Sequence, residues 1–436
     1  MTATVAQAEP AKQPFRWGAA SASYQVEGAS TADNKGLSIW DVYLDQQSLA
    51  GPGVSGATAI NFYDRAQYRK DIALFKKMGL TSYRFSVSWA RIIPDGTGPV
   101  NPAAVAHYVD WFKHYADVVF ANFSDQVDLF VLVNEPSVER ATKTMAEERM
   151  TGAKGSFAIL PAAENLGGAL RTFNHVLLAS AAAKKSFDAH GYKGRLGIAV
   201  PLFPTLTGDG ASAGDKAAAR IADGVLNRWF LDAMYKGSYP ADVLAVARSH
   251  KLDIDVQPQD AATIGAAKFD YLGVNYYSPL FFRQPKGATG DYAAEMFLPE
   301  GTYAAFNGAV RPDQFKALLD RIRTDYGNPT VFVTENGAGF PGDDEMRNGA
   351  VNDVKRCRYL VDHIAAMHAA MADGADVQGY HVWSSHDNLE WLSGYGSRFG
   401  MIYVDFDTQA RTPKLSSTIY TRLIKGETVS AADCGK

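Results

Sequence analysis

Two glutamates in this chain end runs of apolar residues in the same way. Phe130–Val133 is followed by Asn134, Glu135 and Pro136, and Val331–Val333 by Thr334, Glu335, Asn336 and Gly337. Unbroken apolar runs of this length suit parallel strands buried on both faces. The ends of such strands are where parallel α/β folds gather their reactive groups. One acid there is as readily an N-cap or a loop residue; two in matching contexts point to a working pair. Paired carboxyls can divide the cleavage of a glycosidic bond between them. One, protonated, gives its proton to the leaving oxygen, and the other, ionised, attacks the anomeric carbon or serves a water. That division requires surroundings that push the two pKa values apart.

The elements that must position this pair belong to a chain of 436 residues, 47% hydrophobic and 21% charged. No Pro/Gly/Ser-rich linker, charge block or internal repeat divides it, and α/β barrels reach this length as one unit. The expected layout is a leader at 1–14, one domain over 15–426 and a tail at 427–436. A net charge of −4 favours neither nucleic acid nor an anionic membrane as partner, and no apolar stretch has bilayer length. Cys357 and Cys434, far apart in sequence and outside any metal-ligand cluster, read as free thiols. The N-terminus has no basic region followed by an apolar core. Its Ala-rich stretch around Ala6-Gln7-Ala8 suits either a cytoplasmic terminus or the processed end of a periplasmic or secreted chain.

Along the chain, Asn61–Met78 repeats apolar residues at Tyr68, Ile72 and Phe75 and stops at Gly79, which predicts a helix. Ser82–Trp89 alternates strictly, with Tyr83, Phe85, Val87 and Trp89 on one face and Ser82, Arg84, Ser86 and Ser88 on the other. An inward Arg84 needs carboxylate partners, because an isolated buried charge is very costly; the two glutamates are the natural ones. Further strands are expected at Leu196–Pro201 and Phe269–Pro279, where Asn275 and Tyr277 share a face. A helix is expected at Arg356–Met371, then a strand and loop over Gly379–Trp391.

These stretches, in this order, resemble glycoside hydrolase family 1, the retaining β-glucosidase-like enzymes. NEP at Asn134–Pro136 resembles that family's acid/base signature and TENG at Thr334–Gly337 its nucleophile signature. Phe15–Ala29, Ser38–Asp41, Asn174-His175, Asn227–Asp232, Tyr239-Pro240, Ser397–Phe406 and Arg411–Lys414 carry the likeness across roughly Phe15 to Ile424. The resemblance implies a (β/α)8 TIM barrel and retaining hydrolysis of a non-phosphorylated small-molecule β-glycoside or oligosaccharide. It implies Glu135 as acid/base, Glu335 as nucleophile, and no metal or cofactor. It further implies that Gln25, placed on the first strand, binds substrate together with Asn134, Trp383, Glu390 and Trp391, and that Arg84, Asn275 and Tyr277 support the glutamates. Retention calls for carboxyls about 5–5.5 Å apart.

The chain also departs from the family. Two helical stretches, from Asn101-Pro102 to Val109 and from Trp111 to Phe120, stand where the family has a third βα unit. That unit's strand and His-Trp-Asp loop are absent from this sequence, whether by deletion, because the full chain carries residues this sequence omits, or because another segment fills the place. Ser385 and His386 replace two bulky apolar residues, and His386 reads as a polar substitute for a packing residue. Two other readings accompany hydrolysis: a transglycosidase on the same site, and a catalytically impaired sugar-binding barrel. Oligomeric state has no signature in the sequence.

Overall fold

Both apolar runs pair as parallel strands in a single curled sheet. The computed structural model describes residues 14–95, 101, 127–151, 159–288 and 290–435. Its main sheet has seven strands: β1 (Arg16–Ala20), β2 (Ser82–Arg84), β3 (Leu129–Asn134), β4 (Arg195–Pro201), β5 (Tyr271–Asn275), β6 (Val331–Asn336) and β7 (Val377–Trp383). They lie in the order β2-β1-β7-β6-β5-β4-β3. The first strand pairs in parallel with the last as well as with β2. That closure of β1 on β7 distinguishes a barrel from an open doubly wound sheet.

The fold is therefore of (β/α)8 type, with seven of its strands present among the described residues. Among the described residues no strand stands between β2 and β3, the place where the sequence departs from the family's third βα unit. The two helices expected between Asn101 and Phe120, and the leader around Ala6–Ala8, lie outside the described residues (Asn101 apart). Burial differs between the two glutamate strands. Every residue of β6 is buried, as the unbroken apolar run predicts, whereas in β3 only Phe130 is. Among the described residues β3 pairs on one side, with β4, whereas β6 is paired on both.

Helices pack outside the sheet. α1 (Arg65–Met78) starts four residues later than expected, because Asp64 caps it by accepting from the Gln67 amide and Asn61 takes a left-handed φ of 55°. Gly79, at φ 85°, ends it. α2 (Pro136–Met150) follows β3 directly. α3 (Ala163–His190) turns Leu166, Leu170, Phe173 and Leu177 inward at helical spacing. α4 (Pro312–Asp325), α5 (Val354–Ala372) and α6 (Leu415–Ile424) complete the wall beside β6, β7 and β1. Among the described residues, no helix is long and apolar enough to cross a membrane.

Three sequence expectations need correction. The alternating stretch from Ser82 is a strand only as far as Arg84; Trp89–Ile92 is a helical turn, so the pattern of period two outruns the strand. Its first residues do face as predicted: Tyr83 packs on Phe75 outside, while Ser82 bonds His381 within. Gln25 lies not on β1 but on the helical turn Ser23–Val26 that follows it. The cysteines are not free: Cys357 on α5 and Cys434 form a disulfide in a patch with Val361 and Ile419. Sequence separation of 77 residues hid a pairing that the return of the chain along α6 creates.

Closing so long a loop restricts the unfolded chain, so Cys434→Ser should destabilise the fold by about 2–4 kcal/mol. Thermal unfolding with and without reductant measures this. Thiol titration of the denatured chain should find no free thiol before reduction and both cysteines after it.

Candidate active site

Both glutamates sit immediately after a break in strand register. On β6 the pairing with β5 runs Val333↔Val274 and then Glu335↔Asn275, so Thr334 is the extra residue of a bulge. On β3 the pairing with β4 likewise shifts between Val131 and Asn134. A bulge re-aims the side chains that follow it, and here it does so once for each carboxyl. Glu135 also adopts a left-handed backbone, φ 51° and ψ 54°, at the start of α2, with Pro136 in the first helical position. Its side chain makes no capping bond to that helix, which leaves the carboxyl for the site. Such conformations are uncommon for a residue with a side chain and cluster at functional positions.

The two carboxyls have different surroundings. Glu335 accepts from the Arg84 guanidinium on Oε1 and from the Tyr277 hydroxyl, at 2.6 Å, on Oε2. With both oxygens acting as acceptors toward a cation and a phenol, this is the bonding of an ionised carboxylate. Burial holds the Tyr277 phenol well above its usual range, as does the charge of Glu335, so it stays a donor. Glu135 has one weaker partner, Asn275, whose amide nitrogen donates to Glu135 Oε1 at 2.8 Å and to Asn134 Oδ1 at 3.0 Å. The Asn275 oxygen accepts from Thr334 at 2.6 Å, which fixes the amide's orientation. Burial raises the Glu135 carboxyl to about 8, and the charge of Glu335 adds to the rise. His381 does not offset this: burial lowers it to about 4, so it is a neutral spacer between Ser82 and the Val333 carbonyl. Gly18 makes room for that ring, since a Cβ there would lie 2.4 Å from it.

A second cluster lies beside the first. The Gln25 amide nitrogen donates to the Leu389 carbonyl at 2.7 Å, to Asn388 Oδ1 at 3.2 Å and to Glu390 Oε2 at 3.4 Å. Burial raises the Glu390 carboxyl to about 8 and Glu335 raises it further, while hydrogen bonds from Gln25 and Trp383 oppose the shift. Gln25 Oε1 is buried without a hydrogen-bond partner among the described residues, an acceptor that a hydroxyl could fill. Trp383 packs with Ala20 and Phe399. Trp391 lies against Trp40, with ring centroids 4.3 Å apart.

Thus Glu335, Arg84 and Tyr277 form one bonded set, Glu135, Asn134, Asn275 and Thr334 a second, and Gln25, Glu390 and Trp383 a third, with the field of Glu335 reaching both other carboxyls. Trp391 adjoins the third set in sequence and makes its ring contact with Trp40. His386 is outside these sets: it is fully buried among Phe75 and Phe62, with Nε2 3.4 Å from Asp71, as a packing residue. The sequence reading missed Thr334 and the ring series Phe306–Phe399–Tyr277, with centroids 6.2 and 6.4 Å apart. Phe306 is 51% exposed and so presents an aromatic face near the glutamates. Nothing in its local sequence distinguishes it from a packing residue. Among the described residues, no group of three His, Cys, Asp or Glu is placed to hold a metal ion.

The profile described as Glycosyl hydrolase family 1 matches residues 7–110 and 107–429. It matches in two pieces that meet in the stretch lacking the third unit. The chain is 58% identical to a β-glucosidase A of Enterobacter agglomerans over 459 residues, covering 96% of each chain. That alignment is longer than the 436 residues here, so the relative has residues with no counterpart in this chain. Among solved structures, a β-glucosidase from Thermotoga maritima in complex with castanospermine is 31% identical with a TM-score of 0.81, covering 96% of this chain and 99% of its own. A psychrophilic β-glucosidase from Micrococcus antarcticus is 29% identical with a TM-score of 0.82, covering 95% and 97%.

The raised Glu135 carboxyl has a consequence for stability. Between its ordinary 4.5 and about 8, the folded chain keeps a proton that the unfolded chain has lost, so this group's contribution falls as pH rises through that window. Glu135→Gln should therefore raise Tm at pH 9 by about 2 °C or more and leave it nearly unchanged at pH 4. Paired thermal melts at the two pH values check this.

Proposed function

The chain belongs to glycosyl hydrolase family 1 and hydrolyses β-glycosides with retention of configuration, and we propose that Glu335 is its nucleophile and Glu135 its acid/base. Glu335 attacks the anomeric carbon while Glu135 protonates the departing oxygen; the bond to the aglycone breaks as the glycosyl ester forms. Glu135, now ionised, then takes a proton from water, which attacks the ester and frees Glu335. The observation that carries the assignment is the split between the two carboxyls. One is held by an arginine and a tyrosine on both oxygens; the other is bonded by a single amide and keeps its proton to about 8. That is the division of labour the two steps demand.

Glucose is the proposed non-reducing sugar, in keeping with the β-glucosidase relatives. Gln25 and Glu390 would take its hydroxyls, with Trp383, Trp391 and Asn134 around it. A carboxyl at position 390 offers no cationic partner for the phosphate of a phosphorylated sugar. Phe306 would stack on an aryl aglycone. The names of the relatives favour hydrolysis over transfer or binding alone.

A 2-deoxy-2-fluoro-β-glucoside should trap one glycosyl group on Glu335, read by intact mass and peptide mapping; a label elsewhere overturns the assignment. Glu135→Ala should lower kcat/KM by about 10²–10⁴-fold on glucosides with poor leaving groups and far less on a dinitrophenyl glucoside, whose departure needs no proton. In the parent chain kcat/KM should fall as pH rises through about 8, because the acid form of Glu135 is then lost.

A further inference from the structure

Behind the nucleophile strand, the side chain of Asn336 is tied on three sides. Its amide nitrogen donates to the Tyr276 carbonyl at 2.6 Å and to the Tyr359 hydroxyl at 3.0 Å, and its oxygen accepts from the Tyr380 hydroxyl at 2.6 Å. The Tyr359 hydroxyl in turn donates to the backbone carbonyl of Tyr277 at 2.8 Å. Tyr359 thus stands between the residue that follows Glu335 and the backbone of the residue whose phenol bonds Glu335. Asn336 is fully buried and Tyr359 is 2% exposed, so these bonds have no water to replace them. Tyr359 is itself fixed on α5: its ring stacks on His363 with centroids 3.8 Å apart, and its carbonyl bonds His363 Nδ1 at 2.7 Å.

We propose that Tyr359 is a positioning residue for the reaction, holding Asn336 and the Tyr277 backbone so that Glu335 and the Tyr277 hydroxyl meet the anomeric carbon in one geometry. The proposal rests on Glu335 being the nucleophile. Its physical basis is that attack needs the oxygen within a few tenths of an ångström of its line of approach, and that small displacements cost large factors in rate. A bulged strand end does not hold that geometry by its ladder bonds, because the ladder is broken at Thr334. The bracket through Asn336 and Tyr359 substitutes for it, and it acts on chemistry rather than on substrate binding.

The test is covalent trapping kinetics with 2,4-dinitrophenyl 2-deoxy-2-fluoro-β-glucoside, comparing the parent chain, Tyr359→Phe and Tyr239→Phe. Phenylalanine keeps the ring and its stack and removes both bonds. Tyr239 is a buried tyrosine remote from the glutamates; it stacks on Trp229 and its hydroxyl bonds Asn174 at 2.5 Å. It therefore matches the loss of a buried hydrogen bond without touching the bracket. Tyr359→Phe should lower the rate constant for trapping about ten-fold or more, with the dissociation constant of the initial complex within about two-fold. Tyr239→Phe should lower Tm and leave both constants within about two-fold. Tyr380→Phe, which removes one of the three bonds to Asn336, should give a smaller drop in the same constant. A labelled parent chain with Tyr359→Phe trapped at the parent rate would overturn this proposal alone. A parent chain unlabelled at Glu335 would overturn the nucleophile assignment and this one with it.

Discussion

Three carboxyls, Glu135, Glu335 and Glu390, lie within one another's field, and among the described residues the guanidinium bonded to one of them is that of Arg84. Removing charge from water is costly, and like charges at close range add to the cost. The arrangement resolves the conflict unequally. Arg84 and Tyr277 are both spent on Glu335, while Glu135 and Glu390, bonded by neutral amides and an indole, keep their protons to about 8. The same inequality that lowers the electrostatic cost of the site separates an attacking group from a proton donor. Once Glu335 is esterified its charge is gone, one of the influences holding the proton on Glu135 disappears, and that carboxyl becomes a better base for the second step.

The barrel makes this arrangement possible by bringing strands from distant sequence to one rim. Arg84 ends β2, Asn134 ends β3, Asn275 ends β5 and Glu335 lies at the end of β6, so hydrogen bonds across 141 and 251 residues of sequence are short. Loops beyond the strand ends are secured separately. Gly337 allows the Trp383 carbonyl to approach, since a Cβ there would lie 1.8 Å from it. Arg356 bonds the Ala338 and Arg398 carbonyls, and Lys414 bonds Asp344 and Asp387, so the segments after β6 and β7 are tied to each other.

Much of this was legible in the sequence. The apolar runs gave the strands, their ends gave the glutamates, and the cost of burying Arg84 pointed to the glutamates, of which Glu335 is the one it bonds. Gly79 marked its helix end. What escaped has a common cause. Periodicity reports which face a residue takes, not where a strand stops, so the alternation from Ser82 to Trp89 overstated β2, and Gln25 was placed on a strand it lies just beyond. Bulges at Thr334 and before Asn134 leave no mark, because any residue can be the extra one. The Cys357–Cys434 disulfide, the Phe306 face and the Tyr359 bracket depend on where chain segments return in space, which local patterning does not encode.

The account's central claim is that burial and the charge of Glu335 together keep Glu135 protonated. The direct measurement is a titration of the Glu135 carboxyl carbon by 13C NMR, in the parent chain and in Glu335→Gln. A midpoint near 8 in the parent and a clearly lower one in the variant, still above 4.5 because burial persists, is the predicted result. A parent midpoint near 4.5, or the same midpoint in both chains, would contradict it.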